Sequence, residues 1–187
     1  MKYRCILADP PWQYENKKTG GTMKSGAVQH YPTMPLESIK ALPIDQLLAD
    51  ECALFLWATT PLLPEAISVL SAWGFEYKTA IYWRKIMSAG MGWWFRGQVQ
   101  VLLVGVRGSV KPFRAQKPNF IQSKSRRHSQ KPIEAYELIE LACKGPRVEL
   151  FAREKREGWD AWGNEITSDI QLVQQISLNS FDGATRD

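Results

Sequence analysis

Apolar positions in this chain fall into short, dense runs, each cut off by proline, glycine or a polar stretch. Residues 3–8 (YRCILA) form the first run, and Asp9-Pro10 closes it abruptly, which predicts a buried strand. Because the run leads into Asp-Pro-Pro and not into a small-residue cleavage site, it reads as core and not as a secretory leader. Residues 13–33 then turn polar around KKTGGTMKSGA, which predicts a loop in the position that substrate lids favour. Residues 34–50 predict one or two short helices interrupted at Pro43. A second buried strand is expected over 52–60, a helix over 61–74 that stops at Gly74, a third strand over 75–85 and a fourth over 98–108. Residues 131–145 read as a helix with Pro132 near its start and Gly145 past its end, and 147–153 as a fifth strand.

Strands alternating with helices imply parallel crossovers, hence an α/β fold with a mostly parallel sheet flanked by helices. Ligands of such sheets bind outside the carboxyl ends of the strands. That rule places Asp9 to Trp12, Arg107-Gly108 and Arg153 around one cleft. A length of 187 residues suits one domain, expected over residues 1–166, with 167–187 as a tail holding at most a short helix. Nothing approaches the eighteen or so consecutive apolar residues of a membrane span. Cys5, Cys52 and Cys143 are far apart, each among apolar neighbours, and read as buried thiols of a reducing cytoplasm with no zinc spacing. No metal site is expected. The net charge of +5 hides a segregation: residues 77–133 contain no Asp or Glu but twelve of the 24 basic residues. A field of that kind concentrates a polyanion.

Asp9-Pro10-Pro11-Trp12 is the string a core does not require. Both prolines have a fixed φ and no N–H, and Asp9 and Pro10, each preceding a proline, are pushed into extended conformations. The expected result is a stiff turn in which the Asp9 carboxylate and the Pro10 carbonyl stand as two acceptors. Such a pair matches the two N–H bonds of an aromatic amine. Trp12 is expected to offer a face for stacking, worth roughly 1–3 kcal/mol per base. Held acceptors favour a pyramidal amine nitrogen whose lone pair can attack an electrophile, and Asp9 would stabilise the charge that develops.

Several stretches in order, namely ADPPW, LFLWATT, AWGFEYKTAIYWRK, LLVGVRG, HSQKPIEAYELIE and VELFARE followed by GWDAWGNE, resemble the MT-A70 family of adenine N6-methyltransferases, over about residues 3–166. The resemblance implies a Rossmann-like fold dependent on S-adenosylmethionine, with Asp9, Pro10, Pro11 and Trp12 as the catalytic motif holding the target base. It implies Arg107, Lys131, Glu149, Arg153, Asn164 and Glu165 on the cofactor side and Tyr31 on the substrate side. Trp93 and Trp94, beside Gly90 and Gly92, are candidates for a wall of the substrate pocket. Lys124, Arg126 and Arg127 are candidates for holding phosphates, whereas Trp57, Trp73 and Trp83 read as core and His128 as a polar neighbour. Three positions depart from the family pattern: Gln100 stands where many members carry glutamate, and Lys155 and Arg156 replace cofactor-contacting residues of the eukaryotic relatives.

The implied activity is DNA adenine N6-methylation in the cytoplasm of a bacterial or phage-infected cell, in association with the nucleoid. An RNA adenine methyltransferase and a catalytically inactive nucleic-acid-binding homologue are the alternatives. Amino methylation of cytosine is disfavoured by Asp9, since those enzymes usually place serine before Pro-Pro. Monomer and homodimer both remain open.

Overall fold

The computed structural model describes residues 1–13, 33–86, 94–114, 116–124 and 130–172. Its strands are β1 (Tyr3–Ala8), β2 (Leu48–Thr59), β3 (Glu76–Ile86), β4 (Val99–Arg107), β5 (Phe120–Lys124), β6 (Arg147–Leu150) and β7 (Asp160–Trp162). The helices are α1 (Leu36–Lys40), α2 (Leu63–Ala72) and α3 (Ile133–Ala142), with 3-10 turns at Ile44–Leu47 and Thr60–Leu62. All seven strands join one sheet in the order β5-β3-β4-β2-β1-β6-β7. The result is the expected mostly parallel α/β sheet of Rossmann-like type.

The central strand β2 is buried on both faces, which its unbroken apolar run requires. Leu54, Leu56 and Ala58 point into a core shared with Ile39 of α1 and with Ala66, Val69 and Leu70 of α2. Ala53, Phe55 and Trp57 point the other way, into a core closed by Ala135 and Ile139 of α3. Pro64 in the first turn of α2 and Pro132 at the N-cap of α3 start these helices, and Gly74, at φ +80°, ends the turn after α2. Ile170 and Leu172 also pack on the first core, so the beginning of the expected tail lies against the sheet. Among the described residues no helix is long and apolar enough to cross a membrane.

Three features differ from the sequence expectation. β2 begins at Leu48, not at 52, and its charged start, Asp50 and Glu51, stays exposed, with Glu51 bonded to Arg4 at 3.2 Å. β5 and β7 join the sheet although no strand was expected there; one is a short, half-polar edge and the other has three residues. Lastly, β4 runs antiparallel to both β2 and β3. No helix was expected between β3 and β4, and a strand entered without a crossover helix returns antiparallel. The carboxyl ends of the other six strands therefore share an edge with the amino end of β4. Arg107, opposite Cys52 at the start of β2, lies at the far edge.

The Asp9 turn departs from its expected form in an instructive way. Trp12 is only 9% exposed and belongs to the core, with its indole N–H donating to the Trp57 carbonyl at 3.0 Å. Its backbone N–H donates to the Pro10 carbonyl, and the Met34 N–H to the Pro11 carbonyl, both at 2.8 Å. Thus Trp12 offers no free stacking face; it nails the turn to the sheet. Pro11 O is engaged, and Pro10 O keeps one further lone pair. Replacing Trp12 by Phe should cost about 1–3 kcal/mol by leaving the buried Trp57 carbonyl unpaired, and Trp12→Ala about 3–5 kcal/mol. Urea unfolding measures both; a Phe variant as stable as wild type would refute this anchoring role.

Candidate active site

Asp9 leaves β1 between the carboxyl ends of β2 and β6, its N–H directed at the Leu150 carbonyl at 3.4 Å. Its Oδ2 meets Lys131 Nζ at 2.5 Å; the two side chains are 24% and 7% exposed. Pro132 fixes Lys131 in extended backbone just before α3, so the lysine reaches back over the sheet and cannot join the helix. The ammonium also lies 5.4 Å from the ring centre of Trp57, whose indole N–H has no acceptor among the described residues. A lysine this deeply buried needs a counter-charge, and removing either partner strands the other. Asp9 Oδ1 has no protein donor among the described residues.

Beside this pair opens a cleft of about 180 Å³ lined by Asp9, Lys131, Tyr136, Glu149, Phe151 and Arg153, among others. Glu149, on β6, accepts from the Tyr136 hydroxyl at 2.9 Å. Burial pushes its carboxyl up to about 7; the tyrosine bond and Lys131 oppose that shift, while Asp9 adds to it. Burial and the Glu149 carboxylate together push the Tyr136 phenol well above its usual range. Tyr136 itself is gripped on two sides, by the Arg156 guanidinium 4.9 Å from its ring centre and by the edge-to-face indole of Trp159 at 5.8 Å. Glu140 ties the grip together: it accepts from Arg156 at 2.7 and 3.2 Å and from the Trp159 N–H at 2.8 Å.

The chain passing out of β6 is shaped for the cleft. Phe151 sits at φ +63°, a strained conformation for a bulky residue of the sort that collects at functional sites, and packs edge-to-face on Trp162. Gly163 is required where β7 exits, because a Cβ there would stand 2.0 Å from the Ala152 carbonyl oxygen. That approach brings the turn of Asn164 and Glu165 to Arg153, whose guanidinium is 3.6 Å from Glu165.

The structure thus gathers Asp9, Lys131, Glu149 and Arg153 around one cleft; Glu165 reaches Arg153 from the turn after β7, and Asn164 is exposed beside it. It does not bring Arg107 there: the antiparallel direction of β4 carries that residue to the opposite edge, beside Gly74 and Cys52. The acid-free segment is divided likewise, with Lys78 and Arg107 at one edge and Lys85 and Lys124 at the other. Trp94, a candidate for the wall of a substrate pocket, is 92% exposed and is not among the residues lining this cleft. Lys124 is exposed at the end of β5, on the Asp9 edge. Tyr31, Trp93, Arg126, Arg127 and His128 lie outside the described residues. Sequence reasoning missed Tyr136, whose placement in the first turn of α3 just after Lys131-Pro132 was the available signal. Lys155 and Arg156, the departures from the family pattern, are engaged by Asp169 and Glu140.

Glu149 yields a test of the site's electrostatics. Its folded pKa of about 7 exceeds the usual 4.5, so the folded state binds more protons between those values and wild-type stability falls as pH rises through that window. Glu149→Gln should therefore melt above wild type at pH about 8, and the two should converge near pH 4.5, the pKa of an unperturbed glutamate. Parallel melting curves for the two proteins across this range would refute the assignment.

Comparison with known proteins agrees with the geometry. The chain is 33% identical over 197 residues to the type II methyltransferase M.MunI of Mycoplasma sp, covering 95% of this chain and 84% of that one. It is 30% identical to the N(6)-adenosine-methyltransferase subunit METTL3 of Danio rerio, over 97% of this chain but only 32% of the relative. With the N(6)-adenosine-methyltransferase MT-A70-like protein of Drosophila melanogaster it shares 28% identity, over 96% of this chain and 29% of the relative. It therefore spans about a third of those longer proteins. The MT-A70 family model matches residues 3–165, from the first strand to the turn after the last, and the chain belongs to that family of methyltransferases.

Proposed function

We propose that this methyltransferase moves a methyl group from S-adenosylmethionine to the N6 amine of an adenine in DNA, the base being turned out of the duplex to reach Asp9. One observation carries the reading. The Asp9 carboxylate has one oxygen held by a buried lysine and the other without a protein donor among the described residues, at the mouth of a cleft of mixed charge.

The cleft's donors and acceptors fit the cofactor. Glu149 offers a carboxylate to ribose hydroxyls, and Lys131 and Arg153 offer cations to the methionine carboxylate. Asn164, on the neighbouring turn, has an amide suited to a base or ribose edge. S-adenosylmethionine supplies an electrophilic methyl group on a sulfonium. The protein's part is orientation and charge. Asp9 Oδ1 and the remaining lone pair of the Pro10 carbonyl accept from the amine, drawing its lone pair out of conjugation, and Asp9 stabilises the positive charge that grows on nitrogen. Lys131 fixes the carboxylate's plane, and Trp12 holds the turn rigid, so little reorganisation is left for the reaction itself.

DNA is favoured over RNA because the relative whose length this chain nearly spans is a type II methyltransferase, a term used for enzymes of DNA restriction and modification. The N(6)-adenosine-methyltransferases share this region as a minor part of a longer chain. Incubation with methyl-labelled S-adenosylmethionine and either duplex DNA or RNA, followed by nucleoside analysis, should yield N6-methyladenine from DNA. Label appearing only in RNA would transfer the reading to that substrate, and no labelled adenine from either would overturn it. Asp9→Asn should lower kcat by about 10²–10³-fold, the scale of one lost transition-state contact.

A further inference from the structure

Lys85 is a half-buried cation that no role described so far uses. It is the penultimate residue of β3, paired with Ser123 of β5, and stands on the same sheet edge as Asp9. Its N–H donates to the Gln98 carbonyl at 2.8 Å, and its ammonium lies 5.0 Å from the ring centre of Trp83. Trp83 is fixed by donating its own N–H to the Ser123 hydroxyl at 3.0 Å. It meets Trp57 edge-to-face at 6.0 Å, and Trp57 carries the Lys131 ammonium. Two lysines thus ride on one interlocked tryptophan pair.

Only one of them has its counter-charge. Lys131 is paired with Asp9, whereas among the described residues no carboxylate lies within 4.0 Å of Lys85. Burial and the nearby Lys131 both lower the Lys85 pKa, and Asp9, shared between two cations, only partly offsets them. An anion placed here would complete the site electrostatically.

We propose that Lys85 binds a backbone phosphodiester of the nucleotide whose base Asp9 receives; this rests on the nucleic-acid reading above. Topology separates this anion from the cofactor. Glu149 and Arg153 belong to β6 and its exit, on one side of β1, while Lys85 lies across β2 and β4 on the other. Three strand spacings put β3 roughly 14 Å from β1. A nucleotide with its amine at Asp9 and its sugar-phosphate turned away from the cofactor extends along that gap, and the lysine side chain closes the rest.

The test uses an oligonucleotide duplex centred on a mapped target adenine. Lys85→Met should raise the KM for the duplex about 10-fold, the scale of one charge-assisted hydrogen bond, with kcat and cofactor KM within about twofold of wild type. It should also flatten the dependence of log affinity on log salt by about one charge, and Lys85→Arg should restore most of both. A neutral methylphosphonate at the contacted linkage beside the target should weaken wild type as much as Lys85→Met does, and should weaken that variant no further. Additive effects, or an unchanged KM and salt slope, would overturn the proposal. If Lys85→Met fails to fold, a wild-type enzyme indifferent to methylphosphonates on both sides of the target overturns it equally. Absence of methyl transfer by wild type would remove the proposed function itself, a result distinct from an active wild type matched by Lys85→Met.

Discussion

A buried ammonium must have an anion beside it, and much of this protein's active edge follows from that requirement. Lys131 is set down by Pro132 in a place with almost no water, against the face of a tryptophan. Its demand for a counter-charge fixes Asp9, and the two prolines that follow leave the aspartate few other orientations. Pairs of this kind are poor investments in stability, because hydrophobic replacements of equal volume often do better. Such an arrangement is better understood as one that holds a carboxylate at a defined position than as a contribution to folding.

The same logic recurs one strand away. Glu149 is buried enough that its ionisation is finely balanced, and it is held by a phenol that is itself clamped between a guanidinium and an indole. Behind the clamp, Glu140 binds both Arg156 and Trp159, so a chain of contacts runs from the outer face of α3 to the floor of the cleft. Lys155 and Arg156 also line the cleft, and each is paired with a carboxylate of this chain, Asp169 and Glu140. The cleft is framed by short-range ion pairs, with Ile133 and Phe151, the latter in a strained backbone, as apolar lining.

Much of this was legible in the residues. A dense apolar run ending in Asp-Pro-Pro reads as a strand with a stiff exit, and Pro132 ahead of a helical period marks where α3 begins. What stayed hidden is what periodicity cannot encode. Alternation says that a segment is a strand, not which way it runs, so Arg107 was placed at the wrong end of the sheet. β7 is three residues long and takes its conformation from β6, which no local pattern reveals. Trp12 was read as exposed because its partners, Met34 and Trp57, are distant in sequence. The hydroxyl of Tyr136 finds Glu149 across a helix–strand packing that only the tertiary fold creates.

The reversed direction of β4 has an evolutionary corollary. Because β3 ends and β4 begins on the sheet edge that also carries Asp9, the chain between residues 86 and 99 joins two strand ends on one edge. Lengthening, shortening or rewriting that connection breaks no rung of the ladder between the two strands. Sequence between the two strands is thereby free to diverge while the Asp9–Lys131 pair and the cleft beside it stay as they are.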